Sequence, residues 1–329
     1  MELKNVIARE AAKIDQLMRE DISELESKGF DPLLIEILEY ALFVGGKRVR
    51  PLLTILSARF CGCSDEGVYR LAAAFEYLHA ASLIHDDVID GAAERRGAAP
   101  VHEKFGLTAA ILTGDFLLSF AMERVSRFGG AASLAIFCNA TSGMVDGEYR
   151  QLRNARNLDQ SEDDYFSVIM GKTALLIGAA CEIGAVYGGG DDELRGRLQT
   201  YGVNLGCAFQ IIDDLLDYQG DPNRTGKSVG NDLGEGKMTL PLIYALQRAD
   251  ATDRAQLLSI VSDERQRAEK VAEVSALIDK YHGFDDAREK AEATGKRAME
   301  ALSGIGDDAA PVEKAALLEL CAYVLNRDK

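Results

Sequence analysis

The chain has 329 residues, 47% hydrophobic and 27% charged, with 37 basic side chains against 53 acidic ones and a net charge of −16. That apolar content excludes a disordered or fibrous chain, and so acidic a balance lacks the basic face on which nucleic-acid binding rests. The start, Met1-Glu2-Leu3-Lys4-Asn5, is charged at once and predicts no secretory segment. The cysteines at 61, 63, 138, 181, 207 and 321 show no C-x-x-C spacing, which predicts reduced core thiols of a cytoplasmic protein.

Apolar residues recur at helical spacing along almost the whole chain, as in Leu33-Ile37-Ala41-Val44 and Leu205-Phe209-Ile212-Leu216, and no run alternates as a strand would. No proline stands between Pro100 and Pro222, so long helices can run unbroken there. In chain order the pattern predicts helices over 2–27, 32–44, 47–60, 65–90, 107–127, 131–156, 161–187, 191–218 and 237–249, with shorter ones to 327. C-caps are expected at Gly62, Gly129-Gly130 and Gly188-Gly189-Gly190. The apolar stretch Ala174 to Gly190, interrupted by Glu182, reads as a buried helix and not a membrane span. The one irregular stretch is Gly220 to Lys237, read either as a mobile lid or as a plain solvated loop. No linker composition divides the chain, so the expectation is one all-α domain over residues 1–329.

Two of these helices end in aspartates. Ile84-His85-Asp86-Asp87-Val88-Ile89-Asp90 and Ile211-Ile212-Asp213-Asp214-Leu215-Leu216-Asp217 each place two carboxylates one turn apart, Asp86 with Asp90 and Asp213 with Asp217. Such like charges repel by roughly 0.2–0.5 kcal/mol per pair. The helix C-terminus also disfavours anions. A single D-D-x-x-D is as easily a solvated helix end; two copies on otherwise apolar helices call for a cation. Hard oxygen donors in threes suit Mg2+, whose shell is completed by water and substrate phosphates. Facing each other, the clusters would bridge metal onto a phosphorylated substrate.

Such a substrate also needs cations. Gly45-Gly46-Lys47-Arg48-Val49-Arg50-Pro51 places three at a helix start, where the backbone N–H groups favour an anion. Glu94-Arg95-Arg96-Gly97 follows the first aspartates, Lys172-Thr173 opens an apolar helix, and Lys227 and Lys237 bracket the glycine-rich loop. Each motif alone is ordinarily a solvated face; their co-occurrence with the aspartates makes the case.

These pieces, with L-H-A-A-S-L-I-H-D-D-V-I-D at 78–90, G-D-F-L at 114–117, G-K-T-A at 171–174, G-C-A-F-Q-I-I-D-D-L-L-D-Y at 206–218 and G-K-S-V-G-N-D-L-G-E-G-K-M-T-L-P at 226–241, resemble the trans-isoprenyl (polyprenyl) diphosphate synthase family in order and spacing. The chain departs from the family at Gly91-Ala92-Ala93 and at 98–101, which bears on loop detail. The resemblance implies a homodimeric helical bundle of the isoprenoid synthase fold around a deep central cavity, adding isopentenyl diphosphate head-to-tail to an allylic diphosphate. It implies that Asp86, Asp87, Asp90, Asp213, Asp214 and Asp217 hold three Mg2+ on the allylic diphosphate, which Arg95, Lys172, Lys227 and Lys237 also contact. Lys47, Arg50, His79 and Arg96 would hold isopentenyl diphosphate, and Thr173 and Gln210 would line the reaction centre. The rivals are a class I terpene cyclase, which would lack the second diphosphate site, and a noncatalytic subunit. No transmembrane segment is expected, although an oily product would allow peripheral membrane contact.

Product length is read from the first aspartate helix. Each prenyl unit spans roughly 5 Å, about one helical turn. One turn below Asp86 stand Ala81 and Ser82, both small, where short-chain members carry a bulky aromatic; Leu78, Ala74 and Phe75 follow. The expectation is a long product of about 40 carbons, unless Phe116, Phe120 or Met144 closes the cavity sooner and makes this a short-chain enzyme.

Overall fold

The computed structural model describes residues 3–95, 97–154, 157–220, 229–306 and 310–327. Among these the architecture is all-α. The β-pairing among the described residues is one isolated bridge between Arg95 and Ala98. The helices are α1 Leu3–Ser27, α2 Pro32–Leu42, α3 Val49–Phe60, α4 Val68–Ile89, α5 Val101–Phe105, α6 Leu107–Arg124, α7 Gly130–Asn154, α8 Glu162–Ile169, α9 Leu175–Tyr187 and α10 Asp192–Gln219. They continue with α11 Asn231–Gly234, α12 Leu240–Arg248, α13 Ala251–Ser262, α14 Glu264–Glu269, α15 Val271–Lys280, α16 Gly283–Ala301 and α17 Pro311–Leu325. Short π-helical turns, Val125–Gly129 and Met170–Ala174, precede α7 and α9.

Two compact units emerge, one of Met1–Cys138, Ala180–Gly196 and Gly306–Ala316, the other of Asn139–Ala179, Arg197–Ile305 and Leu317–Lys329. In the first, α4 packs chiefly against α6 and α3 and also against α1. Eight consecutive α4 residues, Leu71 to Leu78, are buried, so this stretch of the helix is enclosed on all sides. Its aromatics meet edge-on partners, Phe75 with Phe137 at 5.4 Å and Tyr77 with Phe120 at 5.0 Å, each pair adding about 0.5–1.5 kcal/mol beyond its buried area. Phe116 stacks on Phe120 at 5.7 Å. Helix α1 is pinned through buried carboxylates: Tyr77 donates to Asp21 at 2.8 Å, and Arg59 reaches Glu10 at 3.1 Å.

In the second unit α10 supplies the core with Ile211, Ile212, Leu215 and Tyr218, covered by Leu240, Leu242 and Ile243 of α12 and by Ile278 and Phe284. Helix starts follow local chemistry. Ser161 and Asp164 form a reciprocal capping box at α8, and Asp250 caps α13 through the N–H groups of Thr252 and Asp253.

Several expected boundaries shift. The helix expected over 161–187 is interrupted by its π turn, and the one over 107–127 passes into a π turn before Gly130, whose φ of +74° breaks the run. Helix α3 begins at Val49, not 47, because Arg48 is left-handed. The helix expected from 237 starts at Leu240. The stretch 220–237 is not wholly irregular, since Asn231–Gly234 is helical; 221–228 lie outside the described residues.

All six cysteines are free; Cys181, Cys207 and Cys321 are buried and the other three half-buried. Two helical stretches, Leu107–Asn154 and Glu162–Tyr187, are long and apolar enough to cross a membrane by length and composition, their apolar windows being 22% and 61% buried. The second contains most of the Ala174–Gly190 run, whose Ala180, Cys181, Ile183 and Ala185 are buried as expected. The first was not anticipated, because the glycine pair at 129–130 reads as a helix end. Its exposed apolar side chains are Leu107, Ile111 and Leu112 on α6 and Val145, Tyr149 and Leu152 on α7.

Candidate active site

In the first unit the last turn of α4 carries Asp86, half-buried, and Asp87, 4% exposed; Asp90 caps the helix, its N–H donating to the Asp86 carbonyl at 2.8 Å. Arg95 grips Asp87 through two guanidinium nitrogens, the Nε contact being 2.7 Å. Arg95 is held in place by a tight turn in which its N–H and carbonyl exchange bonds with Ala98 at 2.8 and 3.0 Å. His85, beside Asp86, lies 3.8 Å from Asp115 on α6. A Cβ at Gly114 would come within 2.1 Å of the His85 ring, so glycine is what lets α6 approach here.

A cleft opens beside this turn, lined by Gly45, Arg48, Glu76, His79, Asp87 and Arg95 among others. His79, Asp87 and Arg95 of the expected set therefore share one cavity. Lys47, exposed, and Arg50, half-buried, flank the cleft residue Arg48 in sequence without lining the cleft themselves. Arg48 corrects the reading of three cations presented at a helix start. Its side chain is buried and bonded to Glu76 at 2.7 Å, Asp15 at 2.8 Å and the Leu42 carbonyl at 2.7 Å. Its φ of +50° is strained for a residue with a Cβ, by about 1–2 kcal/mol. Below the aspartates Ala81 and Leu78 are buried and Ser82 is half-buried, its hydroxyl donating to the His79 carbonyl at 2.9 Å. Arg96 lies outside the described residues.

The second unit holds the other cluster on α10. Asp214, 4% exposed, accepts from the Tyr165 hydroxyl at 2.7 Å and the Gln210 amide at 2.9 Å. Thr173 donates to Gln210 at 3.1 Å, so a hydrogen-bonded chain runs from the π turn to the aspartate. Asp217 accepts from the backbone N–H groups of Asn231 and Asp232 at 3.2 and 3.0 Å. Asp213 contacts Arg327 at 3.2 Å.

Burial, and then the nearby Asp232 carboxylate, raise Asp214 well above the usual carboxylate range and lift Asp217 to about 6. Lys172 pairs with Glu148 at 2.8 Å and donates to Gln151 at 3.3 Å. Its backbone is set by a crossing at which a Cβ on Gly147 would lie 2.6 Å from the Lys172 nitrogen. Lys237 pairs with Asp232 at 3.0 Å and Glu235 at 2.5 Å, which raise its pKa against the effect of burial. Lys227 lies outside the described residues.

Asp232, Glu148, Gln151 and Tyr165 escaped the sequence reading. Asp232 stands within the quoted N-D-L-G-E-G-K run, a usable signal; the other three act through tertiary contacts that no spacing reveals. Carboxylates crowded enough to resist ionisation form an all-oxygen donor set suited to a divalent cation. Among the described residues no three such side chains already converge into a ready-made cage. A metal here would need oxygens from water or a substrate phosphate.

Comparison with known proteins agrees with this chemistry. The polyprenyl synthetase family model matches residues 31–278. The octaprenyl diphosphate synthase of Haemophilus influenzae is 35% identical over 297 residues, 90% of this chain and 89% of its own. A short chain isoprenyl diphosphate synthase of Methanothermobacter thermautotrophicus is 35% identical over 332 residues, 100% of this chain and 99% of its own. The crystal structure of a Caulobacter crescentus polyprenyl synthase complexed with calcium and isoprenyl diphosphate is similar at a TM-score of 0.88 and 32% identity, covering 99% of this chain and 97% of that one. With aspartates, cations and helices in the family's order, the chain belongs to the polyprenyl synthetase family and is a prenyltransferase, a trans-polyprenyl diphosphate synthase.

Proposed function

We propose that the enzyme adds isopentenyl diphosphate head-to-tail to an allylic diphosphate in a Mg2+-dependent reaction, giving an all-trans product of about 40 carbons. The observation that carries this reading is the α10 cluster, where Asp214 is buried and hydrogen-bonded and Asp217 has its pKa raised to about 6, a pair that a divalent cation would relieve. Asp86, Asp87, Asp90, Asp213, Asp214 and Asp217 hold the metal. Mg2+, when bound, supplies charge neutralisation at the leaving diphosphate.

Arg95, Lys172, Lys227 and Lys237 add positive charge to that diphosphate as the C–O bond breaks and the electron pair departs with it. Thr173 and Gln210 direct oxygen dipoles at the allylic cation left behind. Lys47, Arg50, His79 and Arg96 hold isopentenyl diphosphate, whose double bond attacks C1 of the cation. The new C–C bond forms, and the proton lost from the adduct goes to the departed diphosphate, so no histidine base is required. Apolar walls exclude the water that would quench the cation.

Ala81, Ser82 and Leu78 leave room beneath the aspartates for a growing chain, and the octaprenyl relative supports a long product. The relative named as a short chain synthase supports a second reading, a product of about 15–20 carbons, with Phe116 or Phe120 ending the cavity. The exposed apolar side chains of α6 and α7 are those a second copy of the chain would cover in a homodimer. One synthase domain, working in the cytoplasm, completes the proposal.

Purified protein given Mg2+ and both diphosphates should turn over alone, stop with chelator and recover on Mg2+ addition. Activity on the allylic substrate without isopentenyl diphosphate would instead mark a cyclase. Inactivity without a second protein would mark a subunit.

A further inference from the structure

Arg48 sits inside the basic run Lys47-Arg48-Val49-Arg50, yet its side chain turns away from solvent. Its three guanidinium nitrogens bind three different helices: Nε reaches Asp15 of α1, Nη1 reaches Glu76 of α4, and Nη2 donates to the carbonyl of Leu42, the last residue of α2. A planar fork can do this at once; a lysine, with one nitrogen, cannot. The backbone bends to allow it, since Arg48 is one of only two non-glycine residues with positive φ among those described. A left-handed residue is retained where the surroundings over-determine it, most often beside a ligand.

The partner choice ties this bend to the site. Glu76 lies one turn before His79 on α4, and Arg48, Glu76 and His79 all line the same cleft. The residues flanking Arg48 remain more open, Lys47 exposed and Arg50 half-buried. A buried ion pair is weak evidence for stability and better evidence for a fixed geometry.

We infer that Arg48 is a positioning residue: through Glu76 it locks Lys47, just before α3, and Arg50, in its first turn, in register with His79 on α4, and so sets the affinity for isopentenyl diphosphate without touching it. This rests on the assignment of Lys47, Arg50 and His79 to that substrate. Arg48 bonds Asp15, Glu76 and the Leu42 carbonyl and none of the residues assigned to the allylic diphosphate, so the effect of its loss should fall on isopentenyl diphosphate.

The test uses the full-length enzyme with Arg48→Lys, Arg48→Gln and Glu76→Gln, each checked by circular dichroism and melting temperature. Arg48→Gln should raise the KM for isopentenyl diphosphate by about tenfold or more, with kcat and the allylic KM within about twofold. Glu76→Gln should move the same parameter less, and Arg48→Lys should restore part of the loss. If Arg48→Gln does not fold, Glu76→Gln and Arg48→Lys still decide the matter. An isopentenyl KM that stays put in folded variants, or parallel losses in every kinetic parameter alongside a lower melting temperature, overturns the positioning role alone. Wild-type protein that incorporates no isopentenyl diphosphate overturns the substrate assignment and this inference with it.

Discussion

Gly147→Ala adds one uncharged methyl group, and its cost can be worked from the crossing it disturbs. The new Cβ would lie 2.6 Å from the backbone nitrogen of Lys172 and 2.9 and 3.0 Å from two atoms of Gly171. All three are backbone atoms, so no flexible side chain can swing aside. Restoring an ordinary 3.4 Å contact means moving the π turn Met170–Ala174 by about 0.8 Å relative to α7. That turn carries Lys172, paired with Glu148 on α7, and Thr173, bonded to Gln210. Displacement of about 1 Å in a positioned group can cost roughly 100-fold in rate, and overpacking typically costs about 1–3 kcal/mol of stability. Gly147→Ala should therefore lower kcat by about 10- to 100-fold while the protein remains folded at 25 °C. Steady-state assays with both substrates, beside urea unfolding, measure the two effects separately. A folded variant with wild-type kcat would refute the claim that this crossing sets Lys172 and Thr173 for catalysis.

Asp86→Ala and Asp213→Ala should each lower turnover by roughly a thousandfold or more, because each removes charge neutralisation at the leaving group; near-normal rates in a folded variant would remove the metal assignment. Ala81→Tyr should shorten the product to about 15–20 carbons, since position 81 lies only about 7.5 Å along the helix from Asp86; an unchanged long product would show that the chain does not pass this wall. Glu10→Gln should destabilise the protein at pH 7 by about 1–2 kcal/mol. Burial opposes ionisation of Glu10, but hydrogen bonds from Tyr69, Arg9 and Arg59 outweigh it and hold its folded pKa below the unfolded 4.5. The stabilisation is thus complete above 4.5 and lost as pH falls through the folded value. Urea titrations should show the wild-type advantage shrinking below pH 4.5, and a constant difference would contradict this.

The helices and both aspartate clusters were legible because periodicity and i, i+4 spacing are local properties. The burial of α9 followed from the apolar run Ala174 to Gly190. What stayed hidden depends on packing between distant residues. The π turn at Met170–Ala174 lies where Gly147 and Gly171, 24 positions apart in sequence, pack closely, a contact that local spacing does not announce. Arg48 reads as one more surface cation until Glu76, 28 residues on, is seen beneath it. Asp232 looked like loop, yet its backbone N–H donates to Asp217 and its carboxylate raises the pKa of Asp214 and Asp217. The short helices α5 and α11, of 5 and 4 residues, are too brief for any period to register.

The most direct test supplies the purified enzyme with Mg2+, a farnesyl starter and labelled isopentenyl diphosphate, then separates the products by chain length after phosphatase treatment. The account predicts label in a ladder of all-trans alcohols ending near 40 carbons, about five units added to the starter. A ladder ending at about 20 carbons would contradict the long-chain reading, and absence of label in any prenyl product would contradict the condensation itself.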